Sequence, residues 1–423
     1  MIGTKGKNAQ LLTPEEKTKI ESYCKEGAVE DWEPDSRLFS HSWFIDGAIL
    51  IILTICGSLT AHAQEHGEKG TAEKTATIEV PQWVKNIKLS GFAMVQYQTT
   101  YEDEYEEDDN ETSTFNLRFM RLTLDGKIGD FDWRTQIQGT NVRGAGEPTV
   151  QLLDLYAEWT RYKAFRVRAG QFQRPFSFES TIHPISQGFF DLADVIKQLT
   201  GFGDRAGENS SAGRDIGVQV QGDILPNSAG RALLHYQVGL FNGEGINRKD
   251  KNNHKDLAAS VWVMPIEGLR LGVSGWTGSH GGMIVTDDAG GTTEDDVPLN
   301  RYCLSAEYDK DDYTFRAEYI HSQGWGTGVI GSRTVDYSLG DKADGWYVLG
   351  IVPVIKKKLQ VKARYQTYRE SKEWGSSKNL FEVGANYFFS KNMQLNFEYA
   401  RVNDRTIDRK DYNILDVQLN FRF

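Results

Sequence analysis

A chain of 423 residues can form two or three ordinary soluble domains or one large barrel. Mean hydropathy is -0.51, and past Gln64 no apolar run approaches the ~18 residues of a spanning helix. This excludes a helical membrane protein but not a β-barrel, in which only alternate residues meet lipid. The net charge of -11 argues against nucleic-acid binding, and with Cys24 and Cys56 ahead of the expected mature start, Cys303 is left alone, without a disulfide framework or thiolate metal site.

Ala48–Leu59 is a short apolar run followed by Ala61-His62-Ala63 and Gln64. An apolar core before a small-x-small site predicts a secretory signal peptide cut after Ala63. Asp46 and the polar stretch Met1–Ser42 stand where a signal should begin with positive charge, so residues 1–63 read as a signal peptide behind an upstream extension, the start being set too far upstream. Residues 64–85 read as a periplasmic lead-in, polar and rich in Gly, Lys and Glu from Gln64 to about Thr77.

From residue 86 to 423 the chain reads as strands. The period-two segments are Ile87–Tyr97, Thr114–Ile128, Phe131–Val142, Val150–Thr160, Phe165–Gln173, Arg214–Asp223, Arg231–Phe241 and Asp256–Met264. Leu269–Thr277, Asn300–Tyr308, Asp312–His321, Asp344–Val354, Leu359–Arg369, Asn379–Phe389, Met393–Val402 and Tyr412–Phe423 complete a set of sixteen. In the second, the alternation slips between Arg118 and Arg121, which predicts a bulge. In the last, Leu415, Val417, Leu419, Phe421 and Phe423 share one face, and Asp416, Gln418, Asn420 and Arg422 the other.

The connections alternate. Gly129-Asp130, Arg161–Ala164, Ile224–Gly230, Pro265–Gly268, Asp309–Asp311, Ile355–Lys358 and Ser390–Asn392 are short. Thr100–Ser113, Arg174–Gly213, Asn242–Lys255, Gly278–Leu299 and Ser322–Ala343 are long. An even set of strands with all long loops at one end predicts a sixteen-stranded antiparallel transmembrane β-barrel, all-β in class. Its apolar face, with Trp, Tyr and Phe at strand ends, would meet lipid. Its other face carries too many charges for a packed core and would line a hydrated lumen.

Five stretches carry a resemblance: Gly170–Glu179, Gly213–Gln219, Phe241–Gly245, Gly345–Val348 and Ala363–Tyr365. Together they resemble the phosphate-selective porin O/P family, over about Ile87 to Phe423. That resemblance implies a trimeric outer-membrane porin that passes anions, phosphate in its best-known members. In such porins the third outside loop folds inward to form a constriction. Here that loop is Arg174–Gly213, with Pro184, Ser186, Gly188, Phe189 and Phe190 suited to an inward path.

The expected pore lining is Arg118, Arg121, Arg134, Arg166, Arg168, Arg214, Arg316, Lys362 and Arg364, with Arg174 and Arg205 from the loop. Arginine pairs its planar fork with two oxygens, and rings of basic side chains select anions. The alternative is that these cations pair with Asp132, Asp154, Glu158, Asp215, Glu307 and Glu318 and stiffen the wall. Arg166, Arg168 and Arg214 are expected nearest the constriction. The loop holds one lysine, Lys197, which fits anion passage better than a phosphate-specific site.

The acidic stretches Glu102–Glu111, Asp287-Asp288 and Glu294–Asp296 read as solvated tips of outside loops near lipopolysaccharide. No catalytic motif or cofactor signature is present: there is no His-Glu-x-x-His, no Gly-x-Ser-x-Gly and no phosphate-binding Gly-x-x-x-x-Gly-Lys. The sequence thus predicts a passive outer-membrane channel for small anions, with lipid and a homotrimer as its surroundings and no nucleic-acid partner. The alternative is a plugged barrel serving as a scaffold or adhesin.

Overall fold

The computed structural model describes residues 87–102, 112–140, 150–202, 212–286, 291–324, 334–336, 340–407 and 411–423. The expected signal peptide and lead-in, Arg205, residues 103–111 and Asp287-Asp288 lie outside them.

Among the described residues seventeen strands form one sheet. They are β1 (Lys88–Glu102), β2 (Thr112–Ile128), β3 (Phe131–Gly139), β4 (Val150–Tyr162), β5 (Phe165–Gln173), β6 (Arg214–Pro226), β7 (Ala232–Phe241), β8 (Asp256–Val263) and β9 (Leu269–Thr286). Then come β10 (Thr292–Lys310), β11 (Tyr313–Gln323), β12 (Thr334–Asp336), β13 (Lys342–Ile355), β14 (Leu359–Arg369), β15 (Ser377–Ser390), β16 (Met393–Asp404) and β17 (Asp411–Arg422). One α-helix, α1 (Asp194–Leu199), follows two 3-10 turns, Glu179–Thr181 and Pro184–Ser186, between β5 and β6.

The three-residue β12 pairs in parallel with the far end of β9 and stands outside the ring, because β11 pairs directly with β13. The other sixteen strands are antiparallel to their neighbours, and β1 pairs with β17 from Phe92↔Arg422 to Glu102↔Tyr412. Gly91 and Phe423 exchange backbone hydrogen bonds at 3.0 Å in each direction, which finishes the seam. Closure leaves no open edge in the wall, as lipid requires of a sheet.

The expected bulge falls at Arg118, where Met94↔Phe119 is followed by Val95↔Leu117. A second, at Leu153, puts that side chain inside, although simple alternation groups it with the outward Leu155. The predicted long loop Gly278–Leu299 is corrected. β9 and β10 run on as a paired ribbon to Thr286 and Thr292, so Glu294–Asp296 sit on a strand. Met283, Val285 and Val297 pack there with Val335 of β12, a small apolar cluster that a loop could not assemble.

The faces are reversed relative to a soluble protein. Asp416, Gln418 and Asn420 are buried, while Leu304, Val348 and Phe397 are about half exposed. Such a belt of outward apolar side chains has hydrocarbon as its solvent. Val348→Arg near the middle of β13 should therefore cost about 2–4 kcal/mol. Denaturant titration of the barrel in lipid vesicles measures this, and a variant as stable as the parent would show that Val348 does not face hydrocarbon.

Candidate functional site

The strand that leads into the segment between β5 and β6 bends at Gly170, within β5. Gly170 has φ +131, and a Cβ there would lie 2.2 Å from the Leu155 carbonyl oxygen, so the position requires glycine. Beyond Gln173 the chain leaves the wall. Its side chains and backbone then bond to strands all round the ring, among them Asp191 to Arg118 of β2, Ser177 to Glu318 of β11, and Asp194 to Gln366 of β14. The Gly188 carbonyl accepts from Lys362 of β14 and Asn386 of β15, the Phe190 amide donates to Glu398 of β16, and Ser186 accepts from Arg422 of β17. A segment touching strands so widely spaced round the ring runs through its interior.

Apolar packing fixes it there. Phe189, Leu192, Val195, Ile196 and Leu199 cluster with Leu299, Cys303, Ile320, Tyr347, Leu349 and Ile351 from β10, β11 and β13. These wall residues point inward, where alternation alone would expect polar groups. Gly188 has φ +88, and a Cβ would lie 2.2 Å from Ile351 Cδ1, so the segment approaches the wall at van der Waals range.

Glu318 is the main polar anchor. Its carboxylate accepts from the Phe178 amide at 2.8 Å, the Glu179 amide at 2.7 Å and Ser177 Oγ at 3.2 Å. Tyr347 and Ser305 also donate to it, each at 2.8 Å. Asp191 is held by Arg118 at 2.5 Å and Lys197 at 3.1 Å; burial opposes its ionisation, but these cations keep its carboxyl far below the usual range.

The basic residues fall into two groups. Arg118, Arg316, Lys362 and Arg364 clasp the inner segment. Arg364 pairs with Glu382 and donates to the Asp191 carbonyl, Arg316 pairs with Glu307, and Lys362 pairs with Glu398. Arg121, Arg134, Arg168, Arg174 and Arg214 instead surround a cavity of about 300 Å³ between the segment and the wall, together with Gln136, Tyr156, His183 and Trp262. Arg166 lies on the same wall but not at the cavity; it pairs with Asp223 at 2.9 Å.

Four cavity arginines have acidic partners: Arg134 with Asp125, Arg168 with Glu158, Arg214 with Asp154, and Arg174 with Asp215. Arg174 also lies 3.9 Å from the Trp276 ring centre. Arg121 differs. Its Nε donates to Gln138 at 2.6 Å and its plane lies near Phe92 and Phe119, with no carboxylate partner among the described residues. His183 adds no charge at neutral pH, because burial and then Arg121 pull its imidazole down to about 4.

The sequence-based pairing alternative therefore holds for Asp154, Glu158, Asp215 and Glu307. Asp132 instead pairs with Lys127, and Glu318 binds the segment rather than an arginine. Glu179 and Gln366 were not singled out as site residues from sequence, and Glu318 was named only as an arginine partner. The available signal was the inward run Cys303, Ile320, Leu349, apolar on a face that is polar elsewhere.

Residues 91–279 match the family described as phosphate-selective porin O and P. No curated protein sequence matches the chain. Among solved structures the fold is similar to Pseudomonas putida OprB, at 10% identity and TM-score 0.58, covering 80% of this chain and 95% of that one. It is also similar to the outer membrane channel DcaP of Acinetobacter baumannii, at 10% identity and TM-score 0.54, with 80% and 97% covered. Salmonella typhi OmpF, at 12% identity, has TM-score 0.54, with 80% and 98% covered.

Proposed function

We propose that this outer-membrane porin, a relative of the phosphate-selective porins O and P over residues 91–279, lets small anions diffuse through the part of its lumen bounded by β2–β8 and the inner segment. It would do so as a homotrimer set in lipid and lipopolysaccharide, as the family likeness implies. The observation that carries the anion preference is Arg121, a buried cation at the cavity with no acidic partner among the described residues, beside four arginines that each have one. A hydrated passage bordered by a guanidinium without an ion-pair partner among the described residues raises the local concentration of anions, and that guanidinium offers them paired donors. The clasp group, Arg118, Arg316, Lys362 and Arg364, serves the segment and not the solute. Arg205 stays an expected lining residue.

Reversal potentials across a planar bilayer in a salt gradient test this. The parent should be anion-selective. Arg121→Gln removes about 1 kcal/mol of attraction for an anion about 4 Å away in water-like surroundings, roughly a five-fold fall in the anion-to-cation permeability ratio. A cation-selective parent defeats the reading. Absence of conductance would favour a scaffold or adhesin.

A further inference from the structure

We propose that Glu179 is the positioning residue of this channel: it fastens the inner segment to the wall, more firmly when it carries a proton. This rests on reading that segment as the part that narrows the lumen.

Glu179 is fully buried. Its Oε2 accepts the Ala193 amide at 3.3 Å and so caps α1. Its Oε1 takes no hydrogen bond among the described residues, though it lies 3.6 Å from Arg364 and 3.8 Å from Arg316. Both guanidiniums are committed elsewhere, Arg364 to Glu382 on β15 and Arg316 to Glu307 on β10. Glu318 on β11 accepts the amide of Glu179 itself, and Tyr347 on β13 spends its hydroxyl on Glu318. On the segment, Asp191 and Asp194 are answered by Lys197. Glu307 has a second cation, Arg270, at 2.7 Å, so among the described residues an ionised Glu179 would join Glu307, Glu318 and Glu382 around Arg316, Arg364 and Arg270, one negative charge in excess at a buried position. Protonation removes the surplus negative charge without disturbing the cap on Oε2.

Burial, opposed by Arg364 and Arg316, pushes the Glu179 carboxyl up to about 7. A displaced segment would return it to water and to the ordinary value near 4.5. The seated form therefore binds the proton more tightly. Its extra stability is complete below the ordinary value and is lost as pH rises through about 7.

Single-channel recordings of the full-length protein in planar bilayers at pH 5 to 9 test the latch. The parent should be quiet at pH 5 and show open-channel flicker at pH 8, with a midpoint near 7. Glu179→Gln, neutral at every pH, should be quiet throughout. Glu179→Ala, which loses the cap, should flicker throughout. Flicker that is independent of pH in the parent, or an unchanged pH midpoint in Glu179→Gln, overturns the latch and leaves the anion reading intact. No conductance at either pH overturns both.

Discussion

Replacing Glu318 by alanine should release the inner segment and raise single-channel conductance while lowering the unfolding temperature. Ser177 Oγ and the amides of Phe178 and Glu179 would lose their shared acceptor, as would the Tyr347 and Ser305 hydroxyls on the wall. Each buried donor left without an acceptor costs about 1–3 kcal/mol. The losses are coupled and will not add in full, so a total of several kcal/mol is expected, concentrated at the turn where the segment leaves β5. Glu318→Gln keeps one acceptor oxygen but turns an amide NH2 group toward donors, and should fall between parent and alanine. Conductance and thermal unfolding of the two variants check this. If both match the parent, Glu318 is not the anchor that its hydrogen bonds make it.

Trp276→Ala should be the most damaging single truncation on the inner wall. The indole is almost fully buried, donates to Asp256 at 2.7 Å, and lies under Arg174 and Arg301. Phe176 meets it at 5.9 Å between ring centres, edge to face. Removing such a side chain costs about 3–5 kcal/mol. Two guanidiniums would also lose the ring they lie against, and Asp256 a donor. Denaturant unfolding of the detergent-folded barrel measures the loss. A change below about 1 kcal/mol would show that this cluster is not a packed core.

Both predictions concern a region where reading by alternation is incomplete. Period two says which side of the wall a residue takes, and it placed Gln418, Asp154 and Arg214 inside. It does not say what an inward residue will meet there. Cys303, Ile320 and Leu349 occupy inward positions, in apparent breach of the pattern, because Val195, Ile196 and Leu199 arrive to cover them. Trp276 takes an inward position too, opposite in phase to the outward Leu271 and Val273, and lies against a buried arginine that alternation could not foresee.

The barrel itself was legible in the sequence. Strand alternation is a local property, set by the pleat, and the contrast of short turns with long loops is also written along the chain, so the sixteen-strand wall and the bulge at Arg118 followed without a structure. The division of labour among the arginines was decided only in three dimensions. Arg214 and Arg364 look alike in sequence, inward cations on alternating strands. One borders the cavity beside Asp154, while the other holds the carbonyl of Asp191, 173 residues earlier in the chain. Contacts across a closed ring join residues with no fixed spacing along the chain, so no local period encodes them.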